Sequence, residues 1–453
     1  GKEIYPGFID AHGHLFSYAE LKLSANLLGC RSEEEMIKRV FDYQNKTKRK
    51  IIIGSGWDQS LWENSAMPDN RRLNEKFPNT PVCLYRIDGH SALVNKAFID
   101  LLGDFDRDIK GGEVSLDNGE PNGMFIDAAL SILEPYIPAF SSSEIKKQLK
   151  VIQKELLGFG ITGVHEAGIE FEELQLLSEM VSDNELSINV YAMLNPSREN
   201  REFALEKGIF TLKNLSVRSF KAYLDGALGS SGALLKQDYL DKKNYKGLCL
   251  MSPDELNELA EFCLDVGYQL NSHGIGDSAI SIILDMCSNV YKRNPDHRFR
   301  IEHAQIIDME DLHKFSDYAV FPSVQPTHAT TDQRWVQSKL GEDRMSGAYA
   351  FKSLKNQIGM IALGTDFPVE YTNPFYTIHA AVHRMNNKDY PSGGFLKNEA
   401  LSMDETLKGM TFWNAFASFD EGRSGTLEKG KKATFVILDR SEERRVGKEC
   451  RSR

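Results

Sequence analysis

Pro6-Gly7-Phe8-Ile9-Asp10-Ala11-His12-Gly13-His14-Leu15 is the stretch from which the fold can be read. Phe8 and Ile9 suit a short buried strand, and that strand runs out into two imidazoles one residue apart. Residues i and i+2 of a strand point to the same side, so His12 and His14 can grip one cation together, with Gly13 between them adding only a hydrogen. Two neighbouring histidines also arise by chance among the 11 in 453 residues. The pair is a metal site only if partners lie elsewhere in the chain.

Outward from this strand, the same kind of unit recurs. Ser143 is placed to cap a helix whose apolar residues Ile145, Leu149, Ile152 and Leu156 fall at helical spacing, and Gly158 and Gly160 end it before a strand at 161–165. Further strands are predicted at 187–193, 217–223, 268–273, 299–303, 320–324 and 359–364, with helices between most of them. Ser252-Pro253-Asp254-Glu255 is a helix start, with serine as cap, proline in the first turn and glutamate at the third position; Gly267 stops that helix. Repeated strand-helix units imply a parallel sheet. With the opening strand there are eight, which suggests closure into a (β/α)8 barrel over a doubly wound open sheet.

The barrel rhythm covers 1–29 and 141–400. Residues 30–140 break it: Ser32 and Glu35 open an amphipathic helix, two apolar strands follow near 51–53 and 82–87, and loops rich in glycine, proline and aromatics join them. This region reads as an insertion without regular alternation, able to fold over the barrel mouth as a lid. Residues 401–440 carry a helix capped by Ser402 and Glu405, running through Trp413 and Ala417, and then a strand. The polar, basic residues 441–453 read as a non-native tail.

Composition narrows the function. A net charge of -11, with 41% hydrophobic and 26% charged residues, spread without acidic or basic blocks, argues against nucleic acid or an anionic membrane as partner. No apolar run reaches the roughly 18 to 20 residues of a membrane helix. Six cysteines without Cys-x-x-Cys spacing suggest neither a zinc knuckle nor a disulfide framework, and read as reduced core thiols. The expected location is cytoplasmic, although an N-terminal piece expected to precede Gly1 could have carried an export signal.

Barrel chemistry gathers at the C-terminal ends of strands, and the reactive residues fall there. His12 and His14 follow the first strand, His165 and Glu166 the second, Lys221 and Asp225 the fourth, His273 the fifth, His303 the sixth, Gln325 and His328 the seventh, and Asp366 the eighth. Four histidines and a carboxylate suit a divalent cation such as Zn²⁺ with a position open for water. Lys221 is the odd member: an ammonium among cations is repelled, so it is either turned away from the site or carbamylated by CO2 into an anionic ligand. Gly-rich Asp225-Gly-Ala-Leu-Gly-Ser-Ser-Gly232 lacks the Gly-Lys-Ser/Thr ending of a phosphate loop.

Five ordered motifs carry a resemblance: His12-x-His14 after Pro-Gly-Phe-Ile-Asp, Phe220-Lys221-Ala-Tyr-Leu-Asp225-Gly, Asn271-Ser-His273-Gly-Ile-Gly-Asp277, Arg300-Ile-Glu-His303-Ala and Gly364-Thr-Asp366-Phe-Pro. Together they resemble the amidohydrolase superfamily, specifically its YtcJ-like branch, which includes N-substituted formamide deformylases. The resemblance implies His12 and His14 on the more buried metal, His273 and His303 on a second, Lys221 as a carbamate bridging both, and Asp366 as ligand and proton shuttle. It also implies a small β-sandwich from both chain ends, of which only the C-terminal strand near 425–439 is expected here.

The function so implied is hydrolysis of a C–N bond, amide or N-formyl, in a small molecule by metal-activated hydroxide, with His303, Lys221 and Asp366 in the chemistry and one or two Zn²⁺ ions as cofactor. His165, Trp57, Asp58, His90, Asp225, Gln325 and His328 are candidates for substrate contact; structural roles in the surface, a turn or the support of a neighbour are the alternative for each. A zinc nucleobase deaminase shares the barrel and the His-x-His, but that branch leads one to expect no lysine on the fourth strand. A non-catalytic relative is expected to have lost ligands, and all six positions are filled. A homodimer is compatible with the sequence.

Overall fold

The computed structural model describes residues 2–87, 89, 91–107, 109 and 112–439. The tail assigned to 441–453, Cys450 and the candidate His90 lie outside the described residues. The chain forms two compact units, one of Gly1–Leu15 with Leu149–Arg453 and one of Phe16–Gln148. These boundaries fall at 15/16 and 148/149, where the sequence pattern suggested 29/30 and 140/141.

The first unit is the expected barrel. Its strands are β1 (Phe8–Gly13), β2 (Ile161–Ile169), β3 (Asn189–Leu194), β4 (Leu215–Tyr223), β5 (Gln269–Gly274), β6 (Arg300–His303), β7 (Phe321–Val324) and β8 (Ala362–Leu363). All are parallel and neighbours in space follow chain order, while Phe210–Leu212 pairs antiparallel on the edge of β4. Strands buried on both faces read as near-continuous apolar runs, which is why length and flanking turns, more than alternation, reveal them.

Between β8 and β1 the ladder thins to a single parallel bridge, Gly13 to Phe367. Side chains close the rest of this seam. The Asp10 carboxylate accepts from the Thr365 N–H (3.0 Å), the Thr365 hydroxyl (2.7 Å) and the His12 N–H (3.1 Å). Lower down, the fully buried Asn414 amide donates to Ile9 O (2.6 Å) and Leu363 O (2.9 Å) and accepts from Leu363 N–H (3.2 Å).

Several local expectations change. Helix Ser142–Gly158 starts two residues early, because Ser141, not Ser143, exchanges hydrogen bonds with Glu144. Ser252 and Glu255 form the full capping box, and Gly267 ends that helix in the left-handed region. The helix expected from Ser402 through Ala417 is two, Met403–Gly409 and Phe412–Ala417. A Cβ on Gly409 would come within 2.8 Å of the Leu363 side chain, so the break sits where the chain presses on β8. The chain start also contributes a strand that the pattern missed: Glu3–Pro6 pairs antiparallel with Phe435–Leu438.

The second unit is more regular than its sequence suggests. Six strands form one mixed sheet, ordered Ala25–Asn26, Ile52–Trp57, Val82–Arg86, Ser91–Val94, Glu120–Asp127 and Gly112–Asp117. Both faces are covered: Val82 and Leu84 join one apolar cluster with Met36 and Val40 of helix Glu33–Thr47, and Cys83 joins another with Phe98 and Phe125. Covered faces erase the period-2 signal.

Candidate metal centre

The barrel ends converge as the topology demands. In the β5–β6 register His273 lies opposite Glu302 and Gly274 opposite His303, and His12 in β1 and His14 just after it have ring centroids 5.3 Å apart. The His12 and His303 rings are 4.8 Å apart and those of His303 and His273 4.5 Å. Asp366 lies among them: its Oδ1 is 3.0 Å from His14 Nε2 and 3.6 Å from His12 Nε2. Among the described residues, His12, His303 and Asp366 bring one donor atom each within 4.8 Å of one another.

The free donors are set by what the other ring nitrogens do. His12 Nδ1–H donates to Glu302 Oε2 at 2.6 Å, leaving Nε2 for the centre. His303 Nδ1–H donates to Gln325 Oε1 at 2.8 Å with the same result. Among the described residues, His273 Nε2 is buried with no hydrogen-bond partner, a desolvated ligand atom of the kind that calls for one. Imidazoles held by outer hydrogen bonds, with a carboxylate beside them, fit a divalent cation of the Zn²⁺ type.

Electrostatics agree with ligation by neutral rings. Burial, then the charge of Lys221, pushes His12 down to about 4 and His273 to about 3. Burial and its neighbour His273 hold His303 well below its ordinary value. For His14 burial is the largest influence and favours the neutral ring, but the hydrogen bond and charge of Asp366 outweigh it and raise the pKa. Asp366 stays ionised despite burial because His12 and His14 hold its carboxyl well below the usual range.

Lys221 is not turned away. Its Nζ points into the centre, 3.2 Å from His12 Nε2, and the residue is 1% exposed. Burial lowers its pKa to about 8.

The remaining candidates divide. Gln325 holds His303, and His328 sits on helix Pro326–Asp332 with Nε2 3.6 Å from Asp366 Oδ2 and Nδ1 accepting from Gln305 Nε2–H. Asp225 accepts the N–H groups of Leu234, Ile275 and Gly276, tying the loop after β4 to that after β5, with Oδ1 3.4 Å from His273 Nε2. His165 lies within β2, which continues to Ile169, so it is deeper than the strand end expected of it. It is 2% exposed and accepts from Arg300 Nη1–H at 3.0 Å. Trp57 and Asp58 belong to the second unit, where Trp57 is a core residue donating to Leu84 O and Asp58 pairs with Arg86.

Three residues at the centre escaped the sequence reading, Asp10, Arg300 and Glu302, whereas Glu166 was expected at the end of its strand. Glu166 accepts the Leu15 N–H at 2.6 Å, fixing the turn that presents His14. Period two on the strand was the signal: Asp10 shares a side with His12, and Arg300 with Glu302. Glu302 is ionised; burial opposes this, but Arg300 and then His12 hold it down to about 2.

Comparison with known proteins agrees with this geometry. The model of the amidohydrolase family matches residues 1–451. Protein LONG AFTER FAR-RED 3 of Arabidopsis thaliana is 33% identical over 458 residues, covering 97% of this chain and 78% of its own length. N-substituted formamide deformylase of Arthrobacter pascens is 25% identical over 464 residues, covering 97% and 84%. Among solved structures, a metal-dependent hydrolase from Pyrococcus horikoshii OT3 is similar with a TM-score of 0.83 at 29% identity, over 98% of this chain and 87% of that one.

Proposed function

Because the chain belongs to the amidohydrolase family, we propose that it cleaves a carbon–nitrogen bond, amide or N-formyl, in a small molecule at a metal held by His12, His14, Lys221, His273, His303 and Asp366. The observation that carries this reading is the convergence of the His12, His303 and Asp366 donor atoms at one rim of the barrel. A deformylase acting on N-substituted formamides among the relatives supports the choice of bond.

A divalent cation bound there, with Zn²⁺ favoured by the ligand chemistry, supplies an activated water and polarises the scissile carbonyl. The chain's own groups do the rest. Asp366 is an ionised carboxylate whose Oδ2 is free of the His14 hydrogen bond, so it can take the water's proton there and pass it to the leaving nitrogen. Lys221, pushed down to about 8, has a neutral fraction near pH 7. Its neutral Nζ attacks the carbon of CO2, forming an N–C bond as one C=O π pair moves onto oxygen, and one N–H proton passes to solvent. The resulting carbamate would replace a repelled cation with one negative charge shared by two oxygens.

The test is metal analysis of the purified protein followed by a hydrolysis screen of N-formyl, N-acyl and cyclic amides. One or two equivalents of metal per chain and release of amine are expected. Asp366→Asn is expected to lose activity by about 10²-fold or more; full activity with metal bound would remove Asp366 from its role. Lys221→Ala should lose metal and activity and regain part of the activity with short carboxylic acids. Unchanged metal stoichiometry in that variant rules the bridge out. Ammonia released from nucleobases, with no amide cleaved, would transfer the protein to the deaminases.

A further inference from the structure

Beneath the metal centre, inside the barrel, four charged or ionisable side chains form one continuous buried column. Glu302 is 0% exposed: its Oε2 accepts from His12 Nδ1–H at 2.6 Å, and its Oε1 lies 2.7 Å from Arg300 Nη2 as an ion pair without hydrogen-bond geometry. Arg300, also 0% exposed, donates from Nη2 to Ala11 O at 2.8 Å and Ser323 Oγ at 2.9 Å, and from Nη1 to His165 Nδ1 at 3.0 Å. We infer that Glu302, aimed by Arg300, is a positioning residue for the metal centre, which selects the tautomer and the ring angle with which His12 presents Nε2. The inference rests on the reading of His12 as a ligand.

A carboxylate can only accept and a guanidinium can only donate, so the column has one proton arrangement. Glu302 forces the proton of neutral His12 onto Nδ1, and Arg300 forces that of neutral His165 onto Nε2. The imidazole at 12 therefore cannot present a protonated Nε2 to the cation. Its plane is fixed from β6, the strand that carries His303. Arg300 anchors the carboxylate from β1, through Ala11 O, and from β7, through Ser323, so three strands define the position of one ring. Outer partners of this kind matter 10- to 100-fold in metal affinity. The same column gives His165 a place: its Nδ1 is occupied by Arg300, which makes it support for the centre.

The competing account is that Glu302 and Arg300 merely neutralise one another. The two differ in a charge-balanced variant, since replacing a buried ion pair by apolar residues of similar volume is often neutral for stability whereas removing one partner is not. Glu302→Leu combined with Arg300→Met removes the acceptor and keeps the balance. Metal affinity is measured by competition with a chromophoric chelator for Zn²⁺, alongside thermal unfolding of the metal-stripped protein.

The double variant is expected to bind Zn²⁺ about 10- to 100-fold more weakly than wild type, with little change in unfolding temperature. Affinity within twofold of wild type would overturn the inference. Should the double variant not fold, Glu302→Gln serves, expected to lose about tenfold and contradicting the inference if it loses nothing. A second readout needs no metal: in the metal-stripped protein, ¹H–¹⁵N spectra of labelled histidine should place the His12 proton on Nδ1, and a proton on Nε2 would also overturn it. A wild-type protein that takes up no metal would sink the reading of the site instead, while the tautomer measurement still decides this one.

Discussion

His303 and Asp366 hold left-handed backbone, with φ of 73° and 62°, and Ala304 follows at 42°. Few side chains adopt that region without cost, and such residues cluster where the surrounding structure over-determines them. Asparagine tolerates it best among polar residues, so Asp366→Asn should keep the stability of wild type while Asp366→Val loses about 1 to 3 kcal/mol in urea titration. His297 gives a pH test away from the metal. It is buried, accepts the Phe299 N–H at Nδ1 and donates from Nε2 to Tyr318 O, each at 2.8 Å. Burial lowers its pKa below the ordinary 6.5, so the unfolded chain takes a proton that the folded ring refuses. Its contribution is present above about pH 6.5 and is lost as pH falls from there toward the folded pKa, at no more than about 1.4 kcal/mol per unit. The metal-loaded His297→Gln variant should show a shallower loss of stability between pH 7 and 5 than wild type; equal slopes would contradict this. The cysteines were all expected in the core. Cys30, Cys83, Cys263 and Cys287 are buried, and burial pushes the Cys83 thiol up to about 12, but Cys249 is exposed because it lies in the loop after β4. Among these five, a thiol reagent should label Cys249 alone until the protein is unfolded.

At the scale of elements, the barrel is held shut where it has fewest ladder bonds. Asn414→Ala removes three hydrogen bonds and strands backbone groups of Ile9 and Leu363, at about 1 to 3 kcal/mol for each group left unpaired. We expect a loss of about 3 kcal/mol or more by urea denaturation, together with weaker Zn²⁺ binding, because the same seam carries His12 and Asp366. The eight strands and the histidines at their ends were legible because strand, turn and helix signals recur along the chain. Asn414 was not, since its partners are 405 and 51 residues away and no local pattern marks an amide that bridges two strands. Glu3–Pro6 was hidden because four residues pair only with the far end of the chain. The sheet of the second unit was hidden for another reason, that strands covered on both faces lose their alternation. Arg300 and Glu302 were quoted as part of a motif, yet their pairing with each other and with His12 depends on where β6 sits in the barrel.

For the molecule as a whole, a chain that divides into two compact units predicts two unfolding events. Differential scanning calorimetry should resolve them, and added Zn²⁺ should raise the temperature of one only, the barrel transition, as expected of a stabilisation of about 2.7 kcal/mol at a free metal concentration of 100 times Kd. A single transition that moves as one would show that the units unfold together. None of the described helices is long and apolar enough to cross a membrane. The chain order of the barrel has a consequence for biosynthesis. His14 and its partner Asp366 are 352 residues apart, so at about 5 to 20 residues per second the ribosome needs roughly 20 to 70 seconds to make the second after the first. Through that interval β1 has neither its eighth-strand neighbour nor the carboxylate. A cation that needs the whole ligand set could therefore be held only after translation has passed Asp366, and a nascent chain stalled before that point would leave the imidazoles of His12 and His14 open to other cations.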